Sequence, residues 1–217
     1  MKKGNRKNLY VGLCFLIAFA IWTVLVKLVD VKAIGPLDSK VGFADLNLFV
    51  HRLTGTNMWL YNLTDWLGLV PIAVAMCFAI LGLIQLIKRK RLLAVDYDIL
   101  ILGVFYIVTA SVFLLFEVFV VNYRPVLING YLEASYPSST TMLVMCVMPT
   151  ALMKLGCRIK NKAVKRCVSL VIVAFVAFMA IGRLLSGVHW MTDIVGGALF
   201  STGLVLLYRF AVNIKLK

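Results

Sequence analysis

The chain has 217 residues, of which 62% are hydrophobic, and its mean hydropathy is +0.97. This composition excludes an ordinary soluble domain and indicates an integral membrane protein. The formal net charge of +14 does not indicate nucleic-acid binding, because the lysines and arginines cluster between apolar runs instead of covering one polar face.

Six apolar runs are each long enough to cross a bilayer whose hydrocarbon core is about 30 Å thick. Turn residues and basic segments separate them, and no internal repeat or separate soluble domain is visible. The sequence therefore predicts an all-α integral membrane protein, with one domain over residues 1–217 and six transmembrane helices. The predicted spans are 9–29, 66–87, 97–121, 138–155, 168–185 and 192–212.

The part of the chain before the second predicted span, residues 1–65, supports two further predictions. The run from Leu9 to Val29 is too long for the apolar region of a signal peptide and no cleavage site follows it, so we expect an uncleaved span. An amphipathic helix around Phe43 to Leu53 is expected to lie in the membrane interface. His51, within that helix, has no motif around it and is predicted to be interfacial or solvated rather than catalytic.

Lysines and arginines predict the orientation. The N-terminal tail, the loop between spans two and three, the loop that starts at Arg158 and the C-terminus that ends at Lys217 are all basic. In a six-span protein these segments share one side, which the positive-inside rule makes cytoplasmic. The loops that precede spans four and six then share the outer face, and the small chain suits a bacterial plasma membrane.

The stretch Gly182–Gly197 contains the strongest chemical pattern. Arg183 precedes His189 by six residues, and Asp193 follows His189 by four, so the last two would share one face of a helix. A carboxylate that orients an imidazole leaves the other ring nitrogen free as a nucleophile, and a nearby guanidinium suits a phosphoryl group. The alternative is a helix cap in which these groups only satisfy one another.

The loop before span four supplies complementary groups. Arg124 adds a second guanidinium, and Ser138 and Ser139 lie at a predicted helix N-terminus, where backbone N–H groups bind anions. Ordinary helix capping would explain the same serines. Because both loops are predicted on one side of the membrane, together they indicate a phosphoryl-transfer pocket.

The motifs resemble those of the type 2 phosphatidic acid phosphatases (PAP2). Gly182–Asp193 is similar to the family's third motif, which has Ser-Arg, five residues, His, three residues and Asp. Arg124-Pro125 resembles the end of the first motif, and Ser135–Ser138 resembles the surroundings of the second, Pro-Ser-Gly-His. The resemblance implies a PAP2-like helical bundle in which His189 attacks phosphorus and Asp193 orients it. It also implies that the phosphoryl oxygens are held by Arg124, Arg183, Ser138 and the Ser139 amide.

Four positions depart from the family pattern. Gly182 replaces a serine and Glu117 replaces the lysine of the first motif, while Ser139 and Thr140 replace the glycine and the histidine of the second. That histidine is the family's usual proton donor. A phosphate leaving group needs little protonation, so we expect a preference for a lipid diphosphate, such as a polyprenyl diphosphate, over a monoester. Glu117 is expected to form a salt bridge with Arg124 or Arg183; binding a cationic headgroup or serving as the acid are alternatives.

The sequence thus predicts a membrane phosphatase whose substrate is a lipid phosphate or diphosphate. A phosphotransferase with an acceptor other than water, and a catalytically impaired protein that binds or transports a phospholipid, remain alternatives. No cofactor or metal is predicted, because His51 and His189 are the only histidines and the outward carboxylates do not cluster as a ligand set.

Overall fold

The protein is described by a computed structural model over residues 3–156 and 159–215. Met1, Lys2, Arg158 and Lys217 of the predicted basic segments lie outside the described residues. The helices are α1 (Lys3–Leu28), α2 (Ala44–Thr54), α3 (Met58–Leu67), α4 (Leu69–Arg89), α5 (Tyr97–Val118), α6 (Ser139–Gly156), α7 (Lys162–Leu185) and α8 (Met191–Lys215). Two short antiparallel strands, β1 (Lys32–Ala33) and β2 (Lys40–Val41), form a hairpin between α1 and α2.

Within these ranges, six helical segments are long and apolar enough to cross a membrane, which confirms the predicted architecture of a multi-pass membrane protein. The second segment begins at Met58 rather than Trp66, because α3 continues into α4 through Gly68. The fifth begins at Lys162 rather than Val168. There the Asn161 side chain accepts hydrogen bonds from the first backbone N–H groups of α7 and caps the helix.

Helices α6 and α8 form the centre of the bundle. In the most apolar stretch of each of these two helices, 44% of the residues are buried within the protein, against 11% in α1. Most of the surface of the outer helices therefore faces lipid. The core between α5, α6 and α8 consists of Leu102, Phe105, Met142, Cys146, Phe200, Leu204, Val205 and Tyr208. Helix α1 packs along α8 through Gly12 and Gly203, where a Cβ on either glycine would lie 3.0 Å from the other's carbonyl oxygen.

One end of the bundle collects the polar loops. The N-termini of α6 and α8 meet there, since the Ser138 N–H donates to the Asp193 carbonyl at 3.1 Å. Helix α3 packs against α7 at the same end, with Trp59 and Trp66 exposed on its outer surface as in an interfacial aromatic belt. This end therefore joins the two loops that carry the sequence motifs.

Candidate active site

His189 lies in the short loop between α7 and α8 and is almost fully buried. Its Nδ1 is 3.2 Å from the Ser135 carbonyl oxygen, and its Nε2 is 3.4 Å from Nη1 of Arg124. A carbonyl only accepts, so the proton is assigned to Nδ1 and the Nε2 lone pair faces the guanidinium. This arrangement presents Nε2 as the nucleophilic nitrogen.

The environment of His189 favours its neutral form. Burial lowers the pKa of His189 well below its ordinary value, and the positive charges of Arg124 and Arg183 lower this pKa further. The hydrogen bond to the Ser135 carbonyl opposes these effects but does not outweigh them. The imidazole is thus unprotonated at neutral pH, as a nucleophile requires.

Asp193 combines a capping position with proximity to the imidazole. Its Oδ2 accepts the Trp190 N–H at 2.9 Å and lies 3.6 Å from Nδ1 of His189, while Oδ1 is buried without a hydrogen-bond partner among the described residues. Helix α8 begins at Met191, so His189 and Asp193 do not share a helical face as their spacing predicted. The carboxylate instead reaches back from the third residue of the helix, as in a capping box.

The loop before α8 is fixed by its close approach to the end of α2. Gly187 has φ +66°, and a Cβ there would lie 1.8 Å from the Gly55 carbonyl oxygen, so only glycine fits. His51 Nε2 is 3.1 Å from the Gly187 carbonyl, and the His51 ring lies 5.5 Å from that of Trp190. His51 is therefore half-buried beneath the loop before α8, where tertiary packing as well as solvent surrounds it.

Arg124 enters the site from the loop between α5 and α6, where its backbone N–H donates to the Glu133 carbonyl. Its Nε lies 3.0 Å from Oε2 of Glu133.

Glu117 and Glu133 line a cavity of about 320 Å³ beside Arg124. In the described part of the chain Glu117 forms no ion pair, contrary to expectation. Helix α5 ends at Val118, so no continuous helix carries Glu117 towards Arg124.

The start of α6 provides a second wall. Ser138 is fully buried; its N–H is occupied by the Asp193 carbonyl, and its Oγ accepts the Thr141 hydroxyl at 3.0 Å. Its own hydroxyl proton remains available to a phosphoryl oxygen. Ser139 is the first residue of α6 and is half-buried.

Thr140 stands where the resemblance in sequence led us to expect a proton donor. The residue is largely buried, and its methyl group faces the turn between α3 and α4, where a Cβ on Gly68 would lie 3.7 Å from it. A threonine hydroxyl is not an acid at neutral pH. This position therefore supplies no general acid.

Arg183 is 1% exposed and extends from the last turn of α7 towards α3. Its Nη1 lies 3.5 Å from the Tyr61 carbonyl and 3.4 Å from the Thr64 hydroxyl, and its Nη2 lies 3.4 Å from Oδ1 of Asp65. The Tyr61 ring lies 4.9 Å from Cζ of Arg183 and 5.9 Å from Cζ of Arg124. The α3 residues were missed by sequence reasoning, which assigned α3 no part in the site.

Gly182 precedes this arginine where the family has serine. A Cβ on Gly182 would lie 2.9 Å from the Thr64 methyl group, so α3 fills the space that a larger residue would need. The Thr64 hydroxyl, in turn, lies within reach of Arg183. The departure at Gly182 is thus coupled to the close packing of α3 on α7.

Two buried asparagines, also missed, join the loops around the site. Asn47 donates from Nδ2 to the Gly42 carbonyl and the Thr192 hydroxyl, and its Oδ1 accepts the Thr192 N–H. Oδ1 of Asn122 accepts the Gly42 N–H, and its Nδ2 donates to the Thr192 hydroxyl. An amide within the predicted amphipathic helix was the one available signal for Asn47.

No group of three or more His, Cys, Asp or Glu side chains suited to a metal occurs in the ranges that the structure covers.

Comparisons with known proteins agree with this geometry. The fold is similar to the crystal structure of a transmembrane PAP2-type phosphatidylglycerolphosphate phosphatase from Bacillus subtilis, with a TM-score of 0.67 and 18% sequence identity over 96% of this chain and 98% of that one. No curated protein sequence matches the chain. The family model of the PAP2 superfamily matches residues 101–215, more than half of the chain and the part that carries Arg124, Ser138, Arg183, His189 and Asp193. The chain therefore belongs to the PAP2 superfamily.

Proposed function

We propose that the protein is a membrane lipid phosphatase that works through a phosphohistidine and prefers a lipid diphosphate. The observation that carries the proposal is the placement of Nε2 of His189, whose lone pair faces Arg124 while Nδ1 is held by the Ser135 carbonyl. A nucleophile, its orienting acceptor and a guanidinium are the groups that in-line phosphoryl transfer needs. Membership of the PAP2 superfamily supports the same assignment.

In the first step, Nε2 of His189 attacks phosphorus and the P–O bond to the leaving group breaks. Arg124, Arg183, the Ser138 hydroxyl and the Ser139 N–H would stabilise the negative charge on the phosphoryl oxygens. Asp193 lies close enough to favour the positive charge that develops on the imidazole. In the second step, water attacks phosphorus, the P–N bond breaks, and inorganic phosphate leaves with His189 restored.

Thr140 supports a diphosphate as the substrate. A positioned general acid contributes about 10² to 10⁴ in rate, and most of this benefit goes to basic alkoxide leaving groups. A phosphate monoester leaving group is already a weak base. A polyprenyl or other lipid diphosphate would therefore lose less than phosphatidic acid from the absence of the histidine.

The distribution of charge supports a site on the outer face of a plasma membrane. The basic loop at Lys88–Arg91 lies between α4 and α5, at the opposite end of the bundle from His189. With this end in the cytoplasm, both chain termini are cytoplasmic and the site is outward. The exposed Trp59 and Trp66 fit the level of the outer lipid headgroups.

The test is phosphate release by the detergent-purified protein from a polyprenyl diphosphate and from phosphatidic acid, without added metal. We expect faster release from the diphosphate, complete loss in His189→Ala, and an acid-labile, alkali-stable phosphoprotein after a quench with labelled substrate. Faster turnover of phosphatidic acid would contradict the diphosphate preference. Release that survives in His189→Ala would contradict the phosphohistidine, and binding without release from either lipid would favour the binding protein.

A further inference from the structure

Tyr61 contacts two arginines of the candidate site, Arg124, which faces the candidate nucleophile, and Arg183. Its ring centroid is 4.9 Å from Cζ of Arg183 and 5.9 Å from Cζ of Arg124, within the range of cation–π contacts. Arg124 lies in the loop between α5 and α6, and Arg183, 59 residues later in the chain, lies in the last turn of α7. The ring comes from α3. Helix α3 lies outside the part of the chain that the PAP2 model matches.

We infer that Tyr61 is a positioning residue that holds Arg124 and Arg183 for the phosphoryl group through the face of its ring. This inference rests on the proposed function, because it assigns the phosphate to the same two arginines. It makes α3 a wall of the site, although no sequence motif marks it.

The polar contacts of Arg183 are too long to fix it alone. Those to Tyr61, Thr64 and Asp65 measure 3.4 to 3.5 Å, whereas N–H···O hydrogen bonds are most often 2.9 to 3.0 Å. Its Nε is buried without a hydrogen-bond partner among the described residues. The Tyr61 ring, whose centroid is 4.9 Å from Cζ, is therefore the contact to which we assign the positioning of this guanidinium.

An aromatic ring suits this position because it attracts a cation without neutralising it. Glu133 already lies near Arg124 and Asp65 near Arg183, and a further carboxylate at the place of the ring would compete with the phosphoryl oxygens for the remaining guanidinium N–H groups. The negative face of the ring attracts each cation without occupying its N–H groups as a carboxylate oxygen does. One ring against both cations also offsets the repulsion between two buried like charges.

The test separates the ring from the hydroxyl. Binding of tungstate, a phosphate-shaped dianion, is measured by calorimetry on the full-length protein and on Tyr61→Phe and Tyr61→Leu. Trp59→Leu is the matched control, because it removes an exposed aromatic from the same helix. We expect Tyr61→Leu to weaken tungstate binding about tenfold and to raise KM more than it lowers kcat. Tyr61→Phe and the control should each change binding less than about twofold.

A graded variant guards against simple loss of folding. Replacement of Tyr61 by 3,4,5-trifluorophenylalanine keeps the size of a phenyl ring but weakens its negative face, so tungstate affinity should fall between those of Tyr61→Phe and Tyr61→Leu. Unchanged affinity in Tyr61→Leu or in the fluorinated protein would overturn the inference, as would an equal loss in Tyr61→Phe, which would assign the effect to the hydroxyl. Phosphate release by unchanged protein and its loss in His189→Ala decide the proposed function separately, since tungstate binding needs no turnover. If the unchanged protein binds no tungstate, the inference fails.

Discussion

Nε2 of His189 lies 3.4 Å from Nη1 of Arg124, so the nitrogen proposed as the nucleophile faces one of the cations proposed to bind the phosphate. A phosphoryl group bound here would face the lone pair and displace the guanidinium from Nε2 to a position beside the phosphoryl oxygens. The same cation disfavours protonation of the imidazole in the empty site. In the proposed mechanism Arg124 therefore contributes both to phosphate binding and to keeping the nucleophile unprotonated.

The first prediction concerns pH. Burial and the two arginines lower the pKa of His189 well below its ordinary value of about 6.5. A group with a lowered pKa stays unprotonated until the pH falls to that lower value, so the acid limb of kcat/KM should lie well below the pH at which an ordinary histidine titrates. Because kcat/KM reports the free enzyme, a pH profile at low substrate concentration measures this limb. In Arg124→Gln the limb should move towards higher pH, and an unmoved limb would contradict the electrostatic cause.

The second prediction concerns the missing proton donor. Thr140→His should raise turnover of phosphatidic acid by about tenfold to a hundredfold, because the monoester gains a general acid. Turnover of a lipid diphosphate should change little. Thr140→Asn serves as the control, since asparagine is similar in shape to histidine but donates no acidic proton. Equal effects on both lipids would mean that protonation of the leaving group does not set the preference.

The features that could be predicted from the sequence are those that depend on residues close together in the chain. The pattern of Arg183, His189 and Asp193 lies within eleven residues, and charge clusters predicted that Arg124 would share its side of the membrane. The contact of Arg124 with His189 brings those two loops together. The six membrane helices could be predicted equally well, because each is a continuous apolar run of sequence.

The residues that sequence reasoning missed act across long stretches of chain. Tyr61 meets Arg183, and Asn47 meets Thr192, only after α2 and α3 have packed against α7 and α8. No spacing rule links such positions, since their neighbours on the helix differ from their neighbours in the fold. The prediction that His189 and Asp193 share a helical face was wrong for a related reason, because Gly187 turns the chain before α8 begins.

The third prediction concerns the acidic residue at the family's lysine position. Glu117 lines the cavity beside Arg124, so its negative charge opposes a phosphoryl dianion. Glu117→Gln should lower KM about two- to fivefold at low ionic strength, with a smaller effect in salt because the cavity is open to solvent. The control is Asp38→Asn, which removes an exposed carboxylate in the segment between α1 and α2. A KM raised by Glu117→Gln would instead indicate that Glu117 binds a cationic part of the substrate.

The last prediction concerns the support of the site. Asn47 is fully buried and bonds to the Gly42 carbonyl and to both the hydroxyl and N–H of Thr192, at the start of α8. Asn47→Ala removes these bonds and leaves buried polar groups unsatisfied, at a cost of about 1–3 kcal/mol in the free energy of unfolding. Asn62→Ala, at an exposed position of α3, is the matched control and should stay within about 0.5 kcal/mol of the unchanged protein. Denaturant unfolding in detergent measures both. Because Thr192 adjoins Asp193, Asn47→Ala should also weaken tungstate binding in the folded protein, whereas equal unfolding free energies for the two variants would show that the amide does not hold α8 in place.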